Sequence, residues 1–165
     1  MSDYPNDIQV MFSKLKSIEE RAKSLRWSDK RPWKRKTHIW YEHDLLILDL
    51  HDLNSKLAKE SVKRCVQSVK NFETGALCFI TGIGKHSAGG FSKNSEMILK
   101  LLNKLSKKQE EWEIHSHGMG RLVLVFNKEK APKRAKGRID PTIKAGIVIF
   151  LIIMIMSSLN SYLPQ

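Results

Sequence analysis

The chain has 165 residues, 41% apolar and 28% charged; that leaves room for one ordinary domain with tails and excludes a wholly disordered protein. Its net charge of +12 is uneven: residues 1–40 hold ten Lys/Arg against five Asp/Glu, residues 41–127 twelve against ten, and residues 128–165 seven against two. A near-neutral centre between basic flanks favours phosphate polymers or anionic headgroups as partners, or else two merely solubilising tails.

From Asp7 to about Leu25, the residues Ile8, Met11, Leu15, Ile18, Ala22 and Leu25 recur every three or four positions. That spacing predicts an amphipathic helix. The following segment sets Trp27, Trp33, Trp40 and Tyr41 among six Lys/Arg between Arg26 and Lys36. Basic residues neutralise phosphates and aromatic rings stack on bases, so Trp33, Lys34, Arg35 and Lys36 are candidate nucleic-acid contacts. A membrane interface, or simple packing on the domain exterior, suits the same residues.

Residues 45–127 carry the globular pattern. LLILDL (45–50) reads as a strand covered on both faces. Asn54 caps a helix to about Asn71, with Leu57, Val62, Cys65, Val66 and Val69 inward. ALCFIT (76–81) is a second strand, and residues 93–107 form a second helix through Met97, Ile98, Leu101, Leu102 and Leu105. Trp112–Ser116 and Arg121–Phe126 form a hairpin around HGMG. The order βαβαββ predicts a compact two-layer α/β fold with a mixed sheet, preceded by the N-terminal helix.

Lys128–Asp140, charged and broken by Pro132 and Gly137, reads as the start of a basic linker over 128–142. Beyond it, Ala145–Leu163 holds nineteen residues without a charge. As a helix this stretch would run roughly 28 Å, close to a hydrocarbon core of about 30 Å. Seven Lys/Arg precede it and none follows. The pattern predicts a transmembrane tail anchor over 143–163 with residues 1–140 in the cytosol, the endoplasmic reticulum or nuclear envelope being favoured over the mitochondrial outer membrane. The segment before Pro5 lacks the basic-then-apolar order of a secretory leader. Cys65 and Cys78 show no CxxC spacing and read as buried thiols of a reducing compartment.

Two places interrupt the apolar strands with chemistry. Asp49 and His51, two apart on a strand, project to one side near its C-terminal end. A carboxylate there can fix an imidazole tautomer, or the two can share a metal; a plain structural hydrogen bond is the simpler use. The second place is Thr81-Gly82-Ile83-Gly84-Lys85-His86-Ser87-Ala88-Gly89-Gly90, between a strand and a helix. Glycines let backbone N–H groups approach a phosphate, which Lys85 and the helix N-terminus would also favour. Ligands of open α/β sheets gather at strand C-terminal ends, where both segments lie. His115 and His117 share a strand face and either reach that cleft or form a surface pair.

Taken in order, LDLHDL, a helix, a strand ending TGIGKHSAGG, a second helix and GMGRLVLVF resemble the Smr (small MutS-related) domain family over about residues 45–127. That family shows LDLHG, a later HGxGxHS loop and a closing Gly-x-Gly before an apolar strand. The resemblance implies a compact α/β fold that binds or cuts RNA or DNA. Carried over by position, Asp49 and His51 match its DxH element, and Gly82, Gly84, Lys85, His86 and Ser87 match its glycine loop. Asp52 stands where the family commonly has Gly, and Thr81 where it commonly has His.

These features predict a membrane-tethered nucleic-acid-processing protein, with RNA phosphodiester cleavage as the expected reaction. His51, oriented by Asp49, would be the general base; His86 would be the general acid; Lys85 and the loop N–H groups would stabilise charge. Gly82, Gly84, Lys85 and Ser87 would hold phosphate. No small-molecule cofactor is expected. A divalent metal is left unassigned, because one carboxylate with scattered histidines makes a poor magnesium site. A non-catalytic module holding RNA or ribosomes at a membrane, and an adaptor whose loop binds another phosphate ligand, both remain open.

Overall fold

The computed structural model describes residues 4–82, 93–118 and 120–136. The expected membrane span, and the loop residues Gly84, Lys85, His86 and Ser87, lie outside them. Among the described residues, no helix is long and apolar enough to cross a membrane.

The elements are α1 (Asn6–Ala22), α2 (Arg35–His38), β1 (Ile39–Glu42), β2 (Leu45–Asp49), α3 (Ser55–Gln67), a 3₁₀ turn (Val69–Asn71), β3 (Ala76–Ile80), α4 (Lys93–Ser106), β4 (Glu113–Ser116), β5 (Arg121–Val125) and a 3₁₀ turn (Lys133–Lys136). They build a mixed five-stranded sheet in the order β1-β2-β3-β5-β4. β2 and β3 run parallel, joined by α3, and every other pair is antiparallel. The parallel pair puts the C-terminal ends of β2 and β3 side by side, and that placement makes the site.

Alternation along the strands sorts the core into two faces. Leu46, Leu48, Leu77, Phe79, Leu122 and Leu124 join the helices in the main cluster. Leu45, Ile47, Ala76, Cys78, Val123 and Val125 form a smaller one on the opposite face. This is why β2 is apolar from Leu45 to Leu48. The α3 cap is as expected, with Asn54 Oδ1 accepting from the Leu57 N–H at 2.9 Å.

Three readings change in three dimensions. First, the sheet begins before residue 45. Ile39–Glu42 pair with Leu45–Leu48 through a two-residue turn at His43 and Asp44, both at positive φ (49° and 67°). Such a turn matches the sheet's twist but is usually written with Asn or Gly, so the sequence hid it. Second, α1 is core rather than flank. Met11, Leu15 and Ile18 are fully buried, each contributing about 1.5–3 kcal/mol by removal from water. Buried Asp7 pins its start, accepting from Tyr41 Oη at 2.6 Å and from the backbone N–H groups of Glu73 and Thr74 at 2.7 and 3.0 Å. Third, residues 128–136 are not a free linker. Ala135 is fully buried in the smaller cluster, and Gly75 approaches the backbone there so closely that a Cβ would stand 2.1 Å from Asn127 O.

Candidate functional site

The site is assembled where β2 ends. Leu50 N–H donates to Ile80 O at 2.8 Å, the last link between the parallel strands, and the chain then turns through His51 and Asp52. Asp49, the last residue of β2, accepts the His51 backbone N–H at 3.0 Å and His51 Nδ1 at 2.7 Å through the same Oδ1. A carboxylate acceptor fixes the proton on Nδ1 and leaves Nε2 as the outward nitrogen. The His51 side chain is 43% exposed, whereas Asp49 is largely buried.

Asp52, read from the sequence only as a departure from the family pattern, closes the other side of the ring. Its Oδ2 lies 3.0 Å from His51 Nε2 and 3.6 Å from His38 Nε2. His38, the last residue of α2, was not anticipated. It lies between Trp33 and His51, with ring centroids at 5.5 and 5.9 Å and interplanar angles of 34° and 35°. Twelve residues, the β1–β2 hairpin among them, separate it from His51, and no local spacing announces that approach.

Trp33 corrects its expected role. It is buried, and its Nε1–H donates to Asp49 O at 2.8 Å, so its face is not offered to a base. Trp27 donates similarly to Asp52 O at 2.8 Å but remains 40% exposed. The two indoles brace the backbone on either side of His51. Arg35 is likewise committed, its Nε donating to Glu19 Oε2 at 2.7 Å and its backbone N–H to Oε1 at 3.0 Å. That ion pair ties α2, and so His38, to α1. Lys34 and Lys36 are exposed and keep the basic character expected of them.

At the end of β3, Gly82 takes φ +82°, and a Cβ there would stand 3.4 Å from His51 Cβ. Thr81 is buried, with its Oγ1 and backbone N–H both donating to Gly120 O at 2.8 Å. It therefore locks the β4–β5 turn to β3 rather than facing solvent. Asn94, near the start of α4, donates through Nδ2 to Leu53 O at 3.3 Å and accepts from Ser55 Oγ at 2.6 Å. Both described flanks of segment 83–92 thus meet the segment that follows β2. His115 and His117 stay apart from the cluster: His115 Nε2 lies 3.3 Å from Glu113 Oε2, and His117 Nε2 lies 3.2 Å from Ala135 O.

Elsewhere, Lys59 and Lys63 of α3 and Lys93, Lys100 and Lys104 of α4 line a groove of about 650 Å³ floored by Met97, Leu101 and Leu105. It offers mostly positive charge, its one carboxylate, Glu96, being paired with Lys100 at 2.6 Å. The thiols are inert by position: burial pushes Cys65 well above its usual range and Cys78 up to about 12.

No protein-family model and no curated protein matches the chain. Among solved structures, it is similar to the solution structure of the B3BP Smr domain, at 20% identity and a TM-score of 0.40, over 73% of this chain and 99% of that one.

Proposed function

We propose that this chain is a nucleic-acid-processing protein that cleaves RNA phosphodiester bonds at the Asp49–His51 pair. The observation that carries the reading is an imidazole 43% exposed, held by a buried carboxylate at 2.7 Å, at adjoining strand ends. Supporting it is the resemblance of LDLHDL and TGIGKHSAGG to Smr elements.

With Nδ1–H given to Asp49, the Nε2 lone pair takes the proton of a ribose 2′-OH. The 2′-oxygen then bonds to phosphorus as the P–O5′ bond breaks, and the 5′-oxygen leaves with a proton supplied by His86. Lys85 and the loop N–H groups hold the phosphate oxygens. The uncharged stretch 145–163, preceded by basic residues, would keep this chemistry at a membrane surface.

Asp52 favours a second reading, a non-catalytic RNA-binding module. Its Oδ2 lies 3.0 Å from His51 Nε2 and fills the space through which a substrate hydroxyl would reach that nitrogen. End-labelled RNA incubated with the full chain in mild detergent separates the two. Cleavage that disappears in His51→Ala establishes the nuclease. Equal tight binding by both proteins, with no cleavage with or without divalent metal, leaves the binding module.

A further inference from the structure

We propose that His38, His51 and Asp52 form a binding site for a divalent transition metal of the zinc class, with His38 Nε2, His51 Nε2 and Asp52 Oδ2 as its three protein ligands. The inference rests on the geometry of this cluster and stands whether or not the chain cleaves RNA.

The donor atoms converge. All three lie within 4.8 Å of one another. Zinc at about 2.0 Å from each of two tetrahedral ligands sets those ligands roughly 3.3 Å apart. Asp52 Oδ2 stands 3.0 Å from one imidazole Nε2 and 3.6 Å from the other, on either side of that spacing. A shift of about 0.3 Å at each, opening at His51 and closing at His38, brings both to it.

Each imidazole is also oriented for a metal. Ligand histidines place the second ring nitrogen's proton on a carboxylate or backbone carbonyl, which fixes the tautomer and aims the lone pair. His51 Nδ1 does this with Asp49 Oδ1 at 2.7 Å. His38 Nδ1 lies 2.9 Å from Lys34 O, a carbonyl that can only accept, so the tautomer with its proton on Nδ1 makes this bond and leaves Nε2 bare; the Lys34 N–H, 3.2 Å away, pairs only with the other tautomer. Both Nε2 atoms are therefore left facing one carboxylate oxygen. Trp33 and the Glu19–Arg35 ion pair hold the frame around them.

The ligand set selects the metal. Two imidazoles and one carboxylate suit zinc and its neighbours, whereas magnesium and calcium demand oxygen-rich shells. Asp52 and His38 are each 8% exposed, so the site is dry on one side. His51, partly exposed, leaves the fourth position towards solvent. Metal at this position and proton abstraction by His51 exclude each other, because both use the same lone pair.

The test is metal binding by the full chain in mild detergent, stripped with chelator and titrated without RNA. Zn²⁺ is measured by competition with a chromophoric chelator, and Co²⁺ by its visible absorption. One equivalent of Zn²⁺ and the strong visible bands of tetrahedral Co²⁺ are expected. His51→Ala and His38→Ala should each weaken Zn²⁺ binding by at least the roughly 10–100-fold typical of supporting residues, and Asp49→Asn by about 10-fold. His115→Gln should leave it unchanged. His38 is buried, so circular dichroism accompanies its variant; the exposed His51 variant tests the site without threatening the fold. Failure to bind one equivalent at micromolar Zn²⁺, or binding that survives His51→Ala, overturns the site. Because no RNA is present, failure to bind metal leaves the cleavage reading untouched, whereas binding through His51 Nε2 removes that nitrogen as a base in the metal-loaded protein.

Discussion

Replacing Asp7 with alanine should destabilise the whole domain, although Asp7 sits in the first turn of a helix that reads from sequence as a flank. Its carboxylate is almost completely buried and satisfies two backbone N–H groups and the Tyr41 phenol. Leaving a buried donor unmade costs about 1–3 kcal/mol. The Thr74 amide is buried and pays the larger share, whereas the Glu73 amide and the half-buried phenol regain water in part. A carboxylate in the first turn of a helix adds about 0.3–1 kcal/mol. The expected loss is therefore about 3 kcal/mol, a large part of the roughly 5–15 kcal/mol that holds a domain together. Urea denaturation of the full chain, followed by tryptophan fluorescence, reads it directly, and a thermal melt should fall by about 10 °C. Tyr41→Phe should cost only about 1 kcal/mol, since it removes one partner and strands no amide. A loss below about 1 kcal/mol for Asp7→Ala would refute the reasoning, and with it the claim that α1 is bolted to the turn before β3. The consequence extends to the site, because α1 holds α2 through Glu19 and Arg35, and α2 carries His38.

Two further outcomes follow from the same structure. Gly120→Ala should cost several kcal/mol, because Gly120 takes φ +71° and a Cβ would fall 2.3 Å from Gly82 O; chemical denaturation checks this, and the His51 ring signals in an NMR spectrum should shift with it. Stability should fall at both ends of the pH scale. Arg21 and Arg64 hold the Glu60 carboxyl below its usual range, and Arg121 does the same for Glu42, so both contributions are present above the unfolded carboxylate value near 4.5 and are lost as pH falls through the lower folded values. At the alkaline end, the unfolded Cys78 thiol ionises from about 8.5. The folded thiol does so only near 12, so stability drains away across that window. Denaturant midpoints measured from pH 3 to 10 should form a dome, and a profile flat to pH 3 would contradict the carboxylate assignments.

Much of the fold was legible because hydrophobic periodicity is a local property. The apolar runs at Leu45 and Ala76, the Asn54 cap and the helix face of Ile98, Leu101 and Leu102 each lie within a few residues, and each element ends within a few residues of where its pattern ends. Asp49 and His51 were legible as a pair because they lie two apart in the sequence, but it is the turn after β2, not strand alternation, that sets the imidazole on the Asp49 carboxylate. β1 was not, because four residues and a His-Asp turn carry no glycine or asparagine signal.

What only the tertiary structure decided is which distant groups share a space. The sequence determined that an α/β domain would end one strand in a carboxylate and an imidazole, with a glycine-rich segment after the next. It did not determine that His38 would come to lie beside His51, that Asp52 would face both rings, or that Trp33 would be committed to a backbone carbonyl. Those contacts depend on how α1 seats α2 against the end of β2, through Glu19, Arg35 and the burial of one helix face. Side-chain patterns encode which surface is apolar; the partner that covers it is chosen by the packing of the whole chain.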